Sequence, residues 1–417
     1  MAQLKDDCFA FGGELTPVID ALAQLRARLS SVTGVEKISL RAGLGRILAE
    51  EIVASRNVPP HDNSAVDGYA VFFDDLKLKL ETRLPVTGRV AAGHPLGRVP
   101  QAGEAVRIFT GAPMPDGMDT VFMEEDCTDD GDHVLLPTGL SQGANRRERG
   151  EDIETGEVVI QRGRRLRPQE LGLAASVGRH ELAVQERLRV AVFSTGDEVR
   201  DPAENAPDGC IFDSNRFAVM GMLERLGCSV TDLGILHDDV DEIADALADA
   251  AKAHDVLITS GGVSAGEEDH VKAAVERNGS LYFWRLAIKP GRPIALGQVA
   301  NAAFIGLPGN PVAAMVTFMV IARPMLLMLN GANDIEATRF SVRADFDYTK
   351  KIGRREWVRA ILTGGNGTDL TVRKYPSSGA GILMSMAAAD GLVELPEDVK
   401  RVSPGDAVDF LPFSEVL

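Results

Sequence analysis

A chain of 417 residues has material for two to four domains, at roughly 150 residues each. Apolar residues make up 45% and charged residues 25%, an ordinary globular composition. With 44 basic and 61 acidic residues the net charge is −17, which argues against binding to nucleic acid or to an anionic membrane surface.

Cys8, Cys127, Cys210 and Cys228 form no C-x-x-C pair, and no H-E-x-x-H occurs, so neither a structural zinc site nor a disulfide framework is expected. The first residues hold no apolar signal-peptide core. The longest apolar run, 312–322, is stopped by Arg323 and Pro324 and is too short to span a bilayer. The chain reads as a soluble cytoplasmic protein.

A helix is predicted over 16–30, with Thr16 as its cap and Val18, Leu22, Leu25 and Leu29 on one face. A second short helix is predicted over 41–50. Short β-rich runs separated by Gly and Pro turns follow at 69–73, 84–90, 105–109 and 133–136. After the charge cluster at 146–152 the pattern predicts a hairpin around Arg162-Gly163, then a helix over 168–177. Residues 1–57 and 141–187 therefore read as one discontinuous domain interrupted by a β-rich insertion at 58–140.

From 188 to 331 strands and helices alternate. Strands are predicted at 189–193, 230–236, 255–259, 281–284, 294–296 and 304–307. Helices are predicted at 215–226 (closed by Gly227), 242–253 (capped by Asp241), 269–278 and 312–322. This alternation predicts a parallel sheet with crossovers. Residues 332–417 return to short strands without helices, which predicts a small β-barrel or sandwich. The fold class is α/β, multidomain.

In an open α/β sheet, ligands gather at the carboxyl ends of strands near the switch in strand order. Two loops leave strand ends there: Ser194-Thr195-Gly196 and Ser260-Gly261-Gly262-Val263-Ser264. Glycines let backbone N–H groups approach a phosphate, and hydroxyls add donors. Neither loop is a Walker A or G-x-G-x-x-G motif, and a tight turn explains either one alone. Asp197, Glu198, Asp213, Asp238, Asp239, Glu267, Glu268 and Asp269 fall at or just after strand ends. Carboxylates beside a phosphate cradle make sense if a hard cation such as Mg²⁺ bridges them. Helix capping is the competing explanation, accepted for Asp241 and an even match for Asp269.

Arg285 and Lys289 flank an apolar triplet and are placed to neutralise a phosphate or an oxyanion. Pro308-Gly309-Asn310-Pro311 is a rigid turn that would hold backbone groups against a ligand. The stretches 63–70 and 109–115 place polar groups beside strands, and the arginines of 146–152 are placed to hold an anion.

Together, N-S-A-V-D-G-Y-A at 63–70, F-T-G-A-P-M-P at 109–115, R-G-E-D-I at 149–153, F-S-T-G-D-E at 193–198, S-G-G-V-S-A-G-E-E-D at 260–269, I-K-P-G-R-P at 288–293 and L-P-G-N-P at 307–311 resemble the MoeA family. These are molybdopterin molybdenumtransferases, also represented by the E domain of gephyrin. The resemblance runs in order along nearly the whole chain. It implies a discontinuous N-terminal domain, an inserted β-rich domain, a MogA-like α/β domain with a parallel-rich sheet and a C-terminal β-barrel. It implies an elongated homodimer whose sites lie between the α/β domain of one subunit and the N-terminal region of the other. It also implies insertion of molybdate into adenylylated molybdopterin, with Mg²⁺-dependent release of AMP and transfer of the product to molybdoenzymes or their chaperones.

Carried over motif by motif, the resemblance implies catalytic roles for Asp67, Asp152, Glu198, Asp238 and Asp269, the last three with Mg²⁺. It implies substrate binding by Thr110, Ser194, Thr195, Gly196, Ser260, Gly261, Gly262, Ser264, Arg285, Lys289, Pro308, Asn310, Pro311, Arg359 and Ser378. Many members have lysine where this chain has Arg285, which keeps the charge and changes the geometry. Two other functions remain open: adenylylation of molybdopterin, which the α/β part alone would allow, and a non-catalytic pterin-binding scaffold.

Overall fold

The computed structural model describes residues 15–77, 79–262, 270–291, 293–364 and 370–417. Helix α1 (Val18–Arg28) buries Val18, Ala21 and Leu25. Thr16 does not cap it. Thr16 is drawn instead into a bridge with Leu286, and Pro17 opens the helix without a side-chain cap. The predicted helix over 41–50 is absent, and a single 3₁₀ turn, Leu40–Ala42, stands at its start. Ile47 and Leu48 beyond it bridge to Arg165 and Val184.

Three antiparallel pairings tie this segment to residues far along the chain: Val35–Ser39 with Glu181–Gln185, Ile52–Val53 with Val158–Ile160, and Asn63–Ser64 with Arg146–Arg147. The hairpin expected around Arg162-Gly163 does not form, because 158–160 pair with 52–53. That pairing places Ile52, Ile160, Leu166 and Leu182 in one buried cluster, which a local hairpin would leave open. Between the paired segments, six strands within residues 68–136 form a separate sheet.

The α/β part has six strands: β1 (Arg189–Thr195), β2 (Ser229–Leu236), β3 (Val256–Ser260), β4 (Gly279–Arg285), β5 (Pro293–Val299) and β6 (Ala302–Leu307), in the order β2-β1-β3-β6-β5-β4. The first four in that order are parallel, while β5 and β4 are antiparallel additions, so the predicted parallel sheet is mixed. The reason is the length of the connections. Parallel neighbours need a crossover of a dozen or so residues, and the links 286–292 and 300–301 are too short for one.

Helices α2 (Pro168–Ser176), α3 (Asn215–Leu226), α4 (Val240–Ala250) and α5 (His270–Asn278) follow the sequence pattern closely. Gly227 closes α3 at φ +96°, in the left-handed region that favours glycine. The cap of α4 is Asp239, not Asp241. The Asp239 carboxylate accepts from the N–H groups of Asp241 and Glu242, both at 2.9 Å. Asp241 pairs with Arg277 instead.

The apolar run expected to stop at 322 continues as α6 (Pro311–Leu329), a helix long and apolar enough by composition to cross a membrane. Its apolar window is 89% buried inside the protein, so here it is the spine of the core. Pro324 is accommodated because Phe318–Ala322 widens to a π-helix just before it, where a proline would otherwise clash and leave a carbonyl unpaired.

The C-terminal part is a closed barrel of β7 (Phe340–Ala344), β8 (Arg355–Thr363), β9 (Thr371–Lys374), β10 (Gly391–Leu395) and β11 (Ala407–Pro412). The ring runs β8-β9-β7-β11-β10 and returns to β8. A short strand, Ile288–Lys289, adds in parallel to β8. The largest hydrophobic cluster joins α1, α3, α6 and the central sheet to Trp357, Leu392 and Leu411 of the barrel.

Because Asp239 caps α4, Asp239→Ala should lower stability by about 1 kcal/mol. Asp241→Ala, which removes one exposed ion pair, should cost little. Urea unfolding of both variants distinguishes the two residues, and an equal loss would reject the assignment of the cap.

Candidate functional site

The chain leaves β1 for β2 on one side and returns to β3 on the other, so β1 and β3 flank the switch in strand order. Three loops therefore meet beyond neighbouring carboxyl ends: 194–198 after β1, 260–262 after β3 and 308–310 after β6. A cavity of about 660 Å³ lies between these loops and the barrel. The α/β part contributes Glu198, Gly261, Gly262, Lys289, Pro308 and Asn310, and the barrel part contributes Tyr348, Glu356, Arg359, Lys374 and Ser378.

Gly261 and Gly262 sit at φ +93° and +64°. At Gly262 a Cβ would lie 2.5 Å from Thr195 Oγ1 and 2.8 Å from Val271 Cγ2, so the site demands glycine for space as well as backbone conformation. The Thr195 and Ser194 hydroxyls are buried and have no hydrogen-bond partner among the described residues.

Four cations line the cavity, Lys289, Arg354, Arg359 and Lys374, and Lys289 and Arg359 are held in different states. Lys289 Nζ donates to Tyr348 Oη at 3.1 Å and to Glu356 Oε2 at 3.2 Å, and Tyr348 donates to Glu356 at 2.7 Å. Burial disfavours the charged amine, but these partners outweigh it and hold Lys289 above its ordinary value. Arg359 is only 5% exposed. Its Nε donates to Ser385 Oγ at 3.0 Å, and its Nη2 donates to the carbonyls of Ser377 and Gly379 at 3.1 and 3.0 Å. Among the described residues it has no carboxylate partner, and burial pushes its guanidinium below the ordinary value. A buried cation without a counterion is costly by itself and favours an anion beside it.

Lys289, Arg359, Gly261, Gly262, Pro308, Asn310, Ser378 and Glu198 thus meet in one cavity. Ser194, Thr195, Gly196, Ser260 and Pro311 lie in or next to the loops that frame it. The remaining positions fall elsewhere. Arg285 ends the outermost strand of the sheet and does not line the cavity, because β5 and β6 stand between it and the switch point. Asp238 sits half-buried in the turn before α4 and does not line it either. Asp213 is occupied by the buried Arg216. Ser264 and Asp269 lie outside the described residues.

Asp67 and Thr110 form a separate group. The Asp67 carboxylate accepts from the Thr110 N–H at 2.7 Å and its hydroxyl at 2.8 Å, and the backbone bond first, then the hydroxyl, hold the Asp67 carboxyl below its ordinary value. Asp152 is exposed, its N–H bound to the Val58 carbonyl at 3.0 Å. None of these three residues lines the cavity. The single chain therefore does not bring the two groups together.

Sequence reasoning missed Tyr348, Glu356 and Asn215. Glu356 carries a legible signal, being a charged residue inside the apolar strand pattern of 355–363. Asn215, at the first position of α3, looks like ordinary helix-start chemistry.

Among the described residues no group of three or more His, Cys, Asp or Glu could hold a metal ion; the expected set of Glu198, Asp238 and Asp269 includes Asp269, which lies outside them. The oxygen donors at the cavity still suit Mg²⁺, which takes one or two carboxylates together with substrate phosphates and waters. Glu198 and Glu356 are the carboxylates that line the cavity.

Gly262→Ala should leave the fold intact and open the cavity wall. With Thr195 in the way the loop has to shift, and ligand affinity should fall at least tenfold. A titration with inorganic phosphate, read beside the far-ultraviolet dichroism, checks this, and parent affinity would mean the close approach is irrelevant.

Comparison with known proteins adds independent findings. Residues 16–178 match the model of the MoeA N-terminal region (domain I and II), residues 191–328 that of a probable molybdopterin binding domain, and residues 341–413 that of the MoeA C-terminal region (domain IV). A molybdopterin molybdenumtransferase from Haemophilus influenzae is 38% identical over 399 residues, covering 95% of this chain and 98% of its own. Molybdopterin molybdenumtransferase 2 from Mycobacterium tuberculosis is 37% identical over 379 residues, covering 88% of this chain and 92% of its own. A crystal structure of a molybdopterin biosynthesis MoeA protein from Pyrococcus horikoshii superposes with a TM-score of 0.81 at 28% identity, covering 96% of this chain and 100% of that one.

Proposed function

This chain belongs to the MoeA family of molybdopterin molybdenumtransferases, and from that premise we propose that it inserts molybdate into adenylylated molybdopterin with Mg²⁺-dependent release of AMP. Its place is molybdenum cofactor biosynthesis, in the cytoplasm, ahead of molybdoenzymes or their chaperones. The observation that carries the reading is Arg359: a buried guanidinium with no carboxylate partner among the described residues, in a cavity shared with Lys289. Such a pair suits a small tetrahedral oxyanion next to a phosphate-bearing pterin.

The geometry supports a division of labour. Arg359 and Lys289 hold the oxyanion, Arg359 from a fixed frame and Lys289 from the cavity wall. The N–H groups of the 260–262 loop and the buried Ser194 and Thr195 hydroxyls are placed to meet phosphate oxygens. Glu198 and the substrate phosphates would hold Mg²⁺, which supplies charge neutralisation at the bond that releases AMP. The barrel supplies Tyr348, Glu356, Arg359 and Ser378 to the cavity, which favours this reaction over adenylylation by an α/β domain alone.

We further infer a homodimer. Asp67, Thr110 and Asp152 match family site motifs, yet the single chain keeps them out of the cavity. A second copy related by two-fold symmetry would bring them to it. Coexpressing Asp67→Asn with Arg359→Lys checks this, since each variant dimer alone should be nearly inactive. Mixed dimers would retain one intact site, restoring about a quarter of parent activity. No recovery in demonstrably mixed dimers would reject the shared site.

The reaction itself is tested by supplying adenylylated molybdopterin, molybdate and Mg²⁺ and measuring AMP and molybdenum cofactor. AMP formation that ignores molybdate, or activity only with ATP and molybdopterin, would reject the proposal. Lys289→Ala should weaken molybdate binding about tenfold at low salt, the ~1.4 kcal/mol scale of a charge-assisted hydrogen bond. Its side chain is 46% exposed, so the difference from the parent should shrink at high salt. Equal affinity at low ionic strength would reduce Lys289 to a turn residue.

A further inference from the structure

We propose that Asn215 is the positioning residue that fixes the two loops on the α/β wall of the cavity against each other. For the reaction this rests on the function proposed above, but the contacts stand without it. Asn215 Nδ2 donates to Ser260 Oγ at 2.9 Å and to the Gly309 carbonyl at 2.7 Å. Ser260 Oγ donates onward to the Pro308 carbonyl at 3.0 Å. One side-chain amide therefore ties the loop after β3 to the loop after β6. The loops also touch directly: Gly261 N–H donates to the Leu307 carbonyl at 3.1 Å, and a Cβ on Gly309 would lie 3.6 Å from Gly261 Cα. Gly261, Gly262, Pro308, Gly309 and Asn310 all line the cavity, so the clasp sets the shape of that wall.

The clasp is itself anchored. The next residue, Arg216, is 3% exposed and binds three carboxylates: Asp213 through Nε at 3.0 Å, Asp201 through Nη2 at 2.5 Å, and Asp232. Asp201 and Asp213 belong to the segment that carries Glu198, and the Ile211 N–H donates to the Glu198 carbonyl at 2.8 Å. With its charge fully met, Arg216 acts as a post that locks this segment to the start of α3. Asn215, one residue away, reaches the other two loops.

The residue type follows from the bonds. An amide nitrogen has two hydrogens, and both are used here, one on a hydroxyl and one on a carbonyl. Aspartate has the same shape and no donor, so it would face the Gly309 carbonyl with repulsion. A carboxylate in the first turn of a helix is electrostatically favourable, so Asn215→Asp removes the clasp while preserving α3.

The experiment compares the parent chain with Asn215→Asp, Ser260→Ala and the double variant. Hydrogen exchange in peptides covering 260–262 and 307–310 should quicken at least tenfold in Asn215→Asp. The melting temperature should stay within about 3 °C of the parent. With adenylylated molybdopterin and molybdate, kcat should fall 10- to 100-fold, on the order expected when a reacting group is misplaced by about 1 Å. Equilibrium binding of molybdate should change less than threefold, and the double variant should be no slower than Asn215→Asp, since both residues act in one chain of bonds. The proposal is overturned by loop exchange equal to the parent, by faster exchange with parent kcat, or by a kcat loss that merely tracks the melting temperature. A parent chain that inserts no molybdenum would sink the proposed reaction, and loop exchange alone would then decide whether Asn215 holds the wall.

Discussion

The cavity exists because Ile288 and Lys289 pair in parallel with Arg355 and Glu356 of the barrel. This short register joins two domains that otherwise have separate sheets. The Arg355 N–H donates to the Ala287 carbonyl at 2.8 Å, and the Ala287 N–H to the Thr16 carbonyl at 2.8 Å, so the start of α1 is tied to the same segment. Because β8 belongs to a closed ring, it cannot slide to a new register without breaking its other partners. A slip by one residue would also leave Glu356, 4% exposed, without the lysine that faces it. Removing the partner of a buried charge costs several kcal/mol, so electrostatics and backbone pairing select the same alignment.

Charge is handled differently inside and outside the cavity. Arg216 meets three carboxylates, and Arg355 meets Glu394 and Glu397. These cations are spent on the fold. Arg359 is given carbonyls and one hydroxyl instead, which orient the guanidinium without neutralising it. A chain with net charge −17 repels anions at long range, but that field is screened beyond about 8–10 Å at physiological salt. Under the proposed function, attraction of an oxyanion would therefore rest on local cations such as Lys289 and Arg359, which line the cavity, rather than on the molecule as a whole.

Rigidity of the site comes from α6. This helix is buried between the sheet, α1 and the barrel, and Pro308-Gly309-Asn310-Pro311 runs directly into its first turn. A loop launched from the most deeply packed helix of the α/β part has little freedom to drift. The same loop is one of the two held by Asn215, so the wall is fixed at its base by hydrophobic packing and across its top by hydrogen bonds.

The local features were legible in the residues. Periodicity and Gly227 placed α3 from Asn215 to Leu226, and the glycines at 261 and 262 marked a loop whose positive φ angles are a property of that loop itself. The motifs singled out Lys289 and the turn at 308–311, and Lys289 and residues 308–310 line the cavity. Other features were decided only in three dimensions. Residues 158–160 could pair with near or distant partners, and the cluster around Ile52, Leu166 and Leu182 chose the distant one. Asp239 and Asp241 are equivalent acids in sequence, and the start of α4 made only Asp239 a cap. The resemblance picks out Arg359, but only closure of the barrel leaves it buried with no carboxylate partner among the described residues. Asp67 and Thr110 share motif logic with the cavity residues, yet the chain path keeps them outside it. A residue's type and spacing fix its own backbone and the chemistry it can offer. Whether that chemistry is paired, buried or turned toward a ligand depends on groups tens of residues away, or more than a hundred for Ile52 and Ile160, which only the packed structure brings within a few ångströms.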